Sequence, residues 1–254
     1  MKLLRTKQVK VNGERVGKDG ATKNGDLIEV YFDGSEKPIA EIYGDENILV
    51  CYKPSGITSE DFYAKVKAKN PSAGFIHRLD RNTDGLMVFS LGESAESELL
   101  RGFKERTFKK YYLAEVYGVP QKSQASLTGY LIKDGERGLV KVYDEPVRGA
   151  QKIITEYKTL RTDGQTSIVE VLLVTGKTHQ IRAHLAHIGN FVIGDGKYGD
   201  ERVNRQFRAK GQRLTAYKIK FCFEKSSPLY YLDGKEIELR EQIEKYGIQR
   251  EVEK

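Results

Sequence analysis

Two short stretches hold most of the side chains that could do chemistry. The first runs Gly74-Phe-Ile-His77-Arg78-Leu79-Asp80-Arg81-Asn82-Thr83-Asp84-Gly85 and leads into the apolar run LMVFSL. An apolar approach, a polar knot and another apolar strand place Asp80 on a loop at a strand end. Arg78 and Arg81 flank it, and nearby cations favour a charged carboxylate. Such a carboxylate suits a nucleophile or an electrostatic stabiliser, not a general acid. The plainer alternative is an Asp that closes an Asx turn and pairs with an arginine.

The second stretch is Val174-Thr175-Gly176-Lys177-Thr178-His179-Gln180-Ile181-Arg182-Ala183-His184-Leu185. Thr178 reads as an N-cap, so His179, Gln180 and Arg182 fall in or beside the first helical turn. Ile181, Leu185 and Ile188 form the buried stripe. Arg182 is then held at the leading end of a rigid platform. A carboxylate or phosphate there would meet both its guanidinium and the positive end of the helix. His179, His184 and His187 do not read as a metal site, because only His184 and His187 share a face and no carboxylate lies within the helix. Downstream, Gly194-Asp-Gly196-Lys-Tyr-Gly199 matches G-x-G-x-x-G literally. The strand before it is very short, and Asp200 and Glu201 would oppose a pyrophosphate. It reads as a glycine-rich turn.

Cations gather in two places. Residues 101–111 carry Arg101, Lys104, Arg106, Lys109 and Lys110, and residues 201–225 carry Arg202, Arg205, Arg208, Lys210, Arg213, Lys218, Lys220 and Lys225. Aromatic residues, among them Phe103, Phe108, Phe207 and Tyr217, are interleaved with them. Cations for phosphates beside rings for unstacked bases form the footprint of RNA binding. A solvated charged face over core aromatics is the other reading.

The elements that must position these groups read as α+β. Strand-like runs NILVCY, LMVFSL, KYYLAEVYG, QKIITEYKTL and IVEVLLV are separated by turn signals, and Asp163-Gly164 between the last two predicts antiparallel pairing. A helix is expected from Ser59 as cap, with Phe62 and Val66 inward, ending before Pro71. Another is marked by Ala95, Leu99 and Phe103. The first thirty or so residues form a small module, with Asn12-Gly13 as a hairpin turn, and 33–38 (DGSEKP) as the linker. The chain has 254 residues and a net charge of +7, which excludes an acidic solvating protein and leaves anionic partners open. No apolar run is long enough to span a bilayer and no signal-peptide pattern opens the chain, so a cytoplasmic protein is expected. Cys51 and Cys222 fit that compartment as two buried reduced thiols.

These motifs resemble the RluA family of pseudouridine synthases. His77-Arg-Leu-Asp80 with Thr83-x-Gly85 resembles the signature loop. Tyr52-Lys-Pro-Ser-Gly56 is similar to the strand and turn before it, and Lys109-Lys-Tyr-Tyr112-Leu-Ala to the tyrosine-bearing strand. Thr175-Gly-Lys-Thr-His-Gln-Ile-Arg182 resembles the third motif, and 185–199 its continuation. The resemblance implies a mainly antiparallel mixed sheet flanked by helices over 37–254, with 1–36 as a partial, shortened S4-like RNA-binding module. It implies Asp80 as the catalytic aspartate, Tyr112 packing on the target base, and Arg182 pairing with Asp80. Arg78 would take the flipped uridine's place in the RNA stack. Lys53, His77, Arg81, Lys177, His179 and Gln180 would contact substrate RNA. Asp84, where many relatives carry a small residue, adds negative charge near Asp80. No metal or cofactor is implied. Large-subunit ribosomal RNA is the first expected substrate and tRNA the second. The alternatives are an RNA-binding or ribosome-associated protein with little or no catalysis, told apart by RNA retained without isomer, and a uracil-releasing glycosylase, told apart by free uracil.

Overall fold

The computed structural model describes residues 4, 9–30, 38–135 and 138–248. The chain divides into two compact units, residues 1–38 and 39–254. The expected linker lies almost wholly outside the described residues.

In the first unit, β1 (Val9–Val11), β2 (Glu14–Val16) and β3 (Ile28–Val30) form an antiparallel sheet in the order β2-β1-β3. The hairpin turns where Asn12-Gly13 predicts it, with φ of 52° and 83°. The Asn12 side chain also donates to Asp26 and accepts from the Leu27 N–H, which ties β3 to the turn.

The second unit is built on one large mixed sheet. Its elements are β4 (Ala40–Gly44), β5 (Ile48–Lys53), α1 (Ser59–Lys69), β6 (Ala73–Phe75), β7 (Asp84–Leu91), α2 (Glu93–Glu105), β8 (Lys109–Tyr117) and β9 (Gln124–Asp134). They continue with β10 (Leu139–Tyr143), β11 (Gln151–Thr162), β12 (Thr166–Leu173), α3 (Gln180–His187), α4 (Glu201–Gln206), β13 (Leu214–Lys220), β14 (Glu236–Glu238) and α5 (Arg240–Lys245). The strand order is β10-β9-β11-β12-β8-β13-β7-β5-β4, with β14 on β13 and β6 on β7. β11 and β12 pair antiparallel across the Asp163-Gly164 turn. The β13·β7 pair is parallel, and it lies at the centre.

Period-2 alternation gives the sheet two apolar faces. Ile48, Val50, Leu86, Val88 and Leu113 face one core with Leu99 of α2 and Ile243 of α5. Leu49, Cys51, Met87, Phe89, Tyr112 and Ala114 face the other, with Phe62 and Val66 of α1 and Ile181 and Leu185 of α3. Strands covered on both sides read as near-continuous apolar runs, as NILVCY and LMVFSL do. Gly85, with φ of 119°, opens β7 where a Cβ would lie 2.2 Å from the Ala216 carbonyl oxygen, so β7 and β13 meet there only because no side chain intervenes.

Two helix starts differ from expectation by one residue. Thr58, not Ser59, caps α1, accepting the Asp61 N–H at 3.0 Å. In α3 the cap position belongs to His179, in the left-handed region at φ 54° and ψ 16°, instead of Thr178. Cys51 is buried, while Cys222 is only partly so. Among the described residues no helix is long and apolar enough to cross a membrane.

Candidate active site

The loop 76–83 between β6 and β7 is held from below by the turn after β5. Ser59, freed from capping, turns inward and clamps the Leu79 backbone, accepting its N–H at 2.8 Å and donating to its carbonyl at 2.9 Å. The Gly56 N–H donates to the Arg81 carbonyl, Arg81 Nε returns a bond to the Gly56 carbonyl, and Ser55 donates to the Asn82 carbonyl. Lys53 completes the cradle. Its ammonium donates to the carbonyls of Pro54, Ile57 and Arg81 at 3.0, 3.0 and 3.2 Å. The side chain is fully buried, so the expected RNA contact by Lys53 is corrected to an internal one. Burial pulls its pKa down to about 8, against the opposing charges of Asp84 and Asp80. Lys53→Met should therefore cost about 1–3 kcal/mol in chemical denaturation, since the carbonyls of Pro54, Ile57 and Arg81 lose a charged donor.

Asp80 then meets a partner 102 residues away. Arg182, on the first turn of α3, donates Nη1 to Asp80 Oδ2 at 2.9 Å. The rest of the same guanidinium grips Asp195, Nε to Oδ2 at 2.7 Å and Nη2 to Oδ1 at 2.8 Å. One planar fork thus spans two carboxylates, a geometry that lysine could not supply. Asp195 is buried and also accepts the backbone N–H groups of Lys197 and Tyr198. Burial raises its carboxyl, but Arg182 and those N–H groups outweigh burial and hold it below the usual carboxylate range.

The arginines next to Asp80 in sequence do not pair with it. Arg78 is exposed and lies 3.3 Å from Glu60, and Arg81 is spent on Gly56. The reading of Asp80 as charged through its flanking arginines is corrected: the cation at its oxygen is Arg182. Asp84 likewise points away. Its two oxygens accept the hydroxyls of Tyr52 at 2.7 Å and Thr215 at 2.6 Å, pinning the start of β7 to β5 and β13.

Asp80, Tyr112 and Arg182 line one pocket of about 400 Å³. Arg78, Lys104, Arg106, Lys110 and Lys177 surround it as cations, and among the described residues Asp80 is its one lining carboxylate. Tyr112 comes from β8 and is almost wholly buried. Burial and the Asp80 charge push its hydroxyl well up, so it stands at neutral pH as an uncharged ring. His77 lies in the wall as a packing residue. Its Nε2 accepts the Val88 N–H at 2.9 Å, and its ring stacks on Phe103 with centroids 4.3 Å apart. Burial and Lys110 draw it down to about 3, so it stays neutral.

Gln180, expected to meet RNA, is buried and fully occupied inside: it bonds Thr175, the Lys177 N–H, the Ile154 carbonyl and Thr155. Those bonds fix the turn that delivers α3. Lys177 and His179 remain on the pocket wall. His184 is a core histidine against Thr155, drawn down to about 4 by burial, and His187 pairs with Asp144 at the surface. Among the described residues no group of His, Cys, Asp and Glu is placed to hold a metal.

Asp195 is the site residue that sequence reasoning missed. It sits inside the G-x-G-x-x-G match, and two of the glycines have their own reason: a Cβ on Gly194 would lie 1.9 Å from the Gly211 carbonyl oxygen, and one on Gly199 2.5 Å from the Asp195 carbonyl oxygen. A tight turn with a lone acid between glycines was the available signal.

The sequence profile of RNA pseudouridylate synthase matches residues 47–187, which include Asp80, Tyr112 and Arg182. The chain is 32% identical over 204 residues to the "Dual-specificity RNA pseudouridine synthase RluA" of Yersinia pestis, covering 75% of this chain and 96% of that protein. It is 29% identical over 230 residues to the "Ribosomal large subunit pseudouridine synthase C" of Vibrio parahaemolyticus, covering 80% and 72%. The solved structure "Human RNA Pseudouridylate Synthase Domain Containing 1" shares the fold, with a TM-score of 0.66 at 23% identity over 88% of this chain and all of that one. The chain belongs to the RNA pseudouridylate synthase family.

Proposed function

We propose that the Asp80 pocket isomerises uridine to pseudouridine within structured RNA, with large-subunit ribosomal RNA as the first substrate and tRNA the second. The observation that carries this is the fork of Arg182, which aims one carboxylate into a cation-rimmed pocket beside a buried tyrosine. The target uridine leaves the stack, which costs a few kcal/mol. Arg78, whose exposed pairing with Glu60 is weak, fills the gap, and Tyr112 packs on the base. Asp80 acts at C1′, either by attack or by stabilising the oxocarbenium form, as one carboxylate does in glycoside cleavage. The C1′–N1 bond breaks, the caged uracil turns, and C1′–C5 forms. C5 then loses a proton and N1 gains one, so the reaction balances with no added reagent.

The relatives' names support ribosomal RNA as a substrate, since one reads as acting on the ribosomal large subunit, and the other, read as dual-specificity, leaves room for a second RNA. Pseudouridine maps of ribosomal RNA and tRNA from cells with and without the gene test it. A site lost from neither pool overturns the reading.

The cations of 201–225 divide in the fold. Arg213 is committed to Glu115, Lys218 to Glu170 and Lys220 to Glu236. Arg202, Arg205, Arg208 and Lys210 are exposed on and after α4. Asn204 hooks this helix to the active-site turn, accepting the Gly194 N–H at 2.7 Å and donating to the Asp195 carbonyl at 3.2 Å. This ridge holds RNA phosphates beside the pocket. Changing all four cations to Gln should flatten the log–log dependence of RNA affinity on salt by up to about 3 units. An unchanged slope would make the ridge a solvated face only. The antiparallel sheet of 9–30 is proposed as an accessory RNA contact of S4-like kind.

A further inference from the structure

The turn that carries Asp195 also carries Tyr198, whose hydroxyl lies against the ring of His179. The Tyr198 hydroxyl oxygen accepts the Val140 N–H at 2.8 Å and lies 2.9 Å from His179 Nδ1. A phenol has one proton to give, and among the described contacts Nδ1 is the acceptor it meets. Where the phenol gives that proton to Nδ1, Nδ1 is bare and the proton of the neutral ring is on Nε2. The backbone agrees that the ring is held on purpose. His179 keeps a left-handed φ of 54°, which side chains other than Gly adopt rarely and mostly where surrounding contacts impose it. The Tyr198 ring is itself fixed, edge-on to His179 and beneath the Arg182 guanidinium at 5.2 Å.

We propose that His179 is a substrate-binding residue that presents an Nε2–H to a sugar–phosphate oxygen of the target nucleotide. This rests on the uridine-isomerising reading of the same pocket. His179 lines that pocket with Asp80 and Arg182. Tyr112 takes the base and Asp80 acts at C1′, so the acceptors left beside C1′ are the ribose hydroxyl and the adjoining phosphates. A neutral donor serves them where another cation would compete with Arg182 for Asp80. Burial, aided by Arg182 and Lys197 and opposed by Asp80, holds the ring below its ordinary pKa, which keeps it neutral.

The test has two parts. Nitrogen-15 spectra of the free protein with labelled histidine report the tautomer without RNA. His179 is expected with Nε2 protonated and Nδ1 bare, and Tyr198→Phe should mix the two forms. Affinity is then measured for His179→Ala and His179→Gln, the latter returning an N–H near the Nε2 position. The probes are three RNA strands: unmodified, 2′-deoxy at the target, and methylphosphonate at the adjoining linkage. His179→Ala should lose roughly fivefold to tenfold on the unmodified strand, and His179→Gln less. The loss should vanish on one altered strand, which tells ribose from phosphate as the source of the oxygen. A wild-type ring protonated on Nδ1, or an equal His179→Ala loss on all three strands, overturns the proposal. Wild-type protein that forms no pseudouridine in any cellular RNA overturns the parent reading instead, a separate result.

Discussion

Asp80→Asn should abolish pseudouridine formation, by roughly four orders of magnitude or more, while RNA affinity stays close to that of the wild type. The amide is the same shape as the carboxylate, and Arg182 Nη1 can still donate to its oxygen as it does at 2.9 Å to Asp80. The pocket and its cation rim are then unchanged, but no anion remains to act at C1′. Release of tritium from RNA labelled at uridine C5 measures the reaction, and gel shifts measure binding in parallel. Robust turnover by the variant would remove Asp80 from the role given to it. Free uracil from the wild-type reaction would point to cleavage without rejoining.

Asp195→Ala should come next in effect, though the residue is buried behind Arg182. Removing one partner of a buried ion pair leaves the other charge uncompensated, which costs about 3–5 kcal/mol. The fork would also swing, since Nε and Nη2 are both held by Asp195. Turnover should fall about a hundredfold through misplacement of Arg182 on Asp80. Asp195→Asn separates the two effects: it keeps the volume but sets one N–H against another, so turnover should fall more than stability. The pH dependence has a definite sign. The folded Asp195 pKa lies below its ordinary 3.8, so its contribution is present above that value and is lost as pH falls through the folded one. Acid unfolding of the wild type should steepen below about pH 4, and Asp195→Asn should flatten that limb. A variant with wild-type stability and rate would show that Asp80 needs no backing from this turn.

Much of this architecture was legible because period-2 runs and turn pairs are local signals. Asn12-Gly13 and Asp163-Gly164 turn where their chemistry requires, and β5, β7, β8, β11 and β12 lie on the runs that predict them. β9 and β10 went unread, and of β13 only residues 218–220 fall in a strand-like run, KIKFCFEK. LTAYKIK carries two lysines, and what makes it a central strand is the gap between β7 and β8, a tertiary fact. The site shows the same division. Asp80, Tyr112 and Arg182 follow from motif order. The pairing of Arg182 with Asp80 follows from it too, whereas sequence proximity points to Arg78 and Arg81, which are aimed at Glu60 and Gly56. Lys53 and Gln180 look like RNA contacts in a string of letters, since both are polar and sit in the right motifs. Their many internal acceptors and donors exist only once the turns are formed.

The order β8-β13-β7 has a bearing on biosynthesis. The strand that joins the Tyr112 half of the sheet to the Asp80 half is residues 214–220, delivered after both halves have been translated. Without that late strand, the facing edges of β7 and β8 have no partner between them. A polypeptide that stops short of residue 214 lacks the strand that brings carboxylate and phenol to one wall.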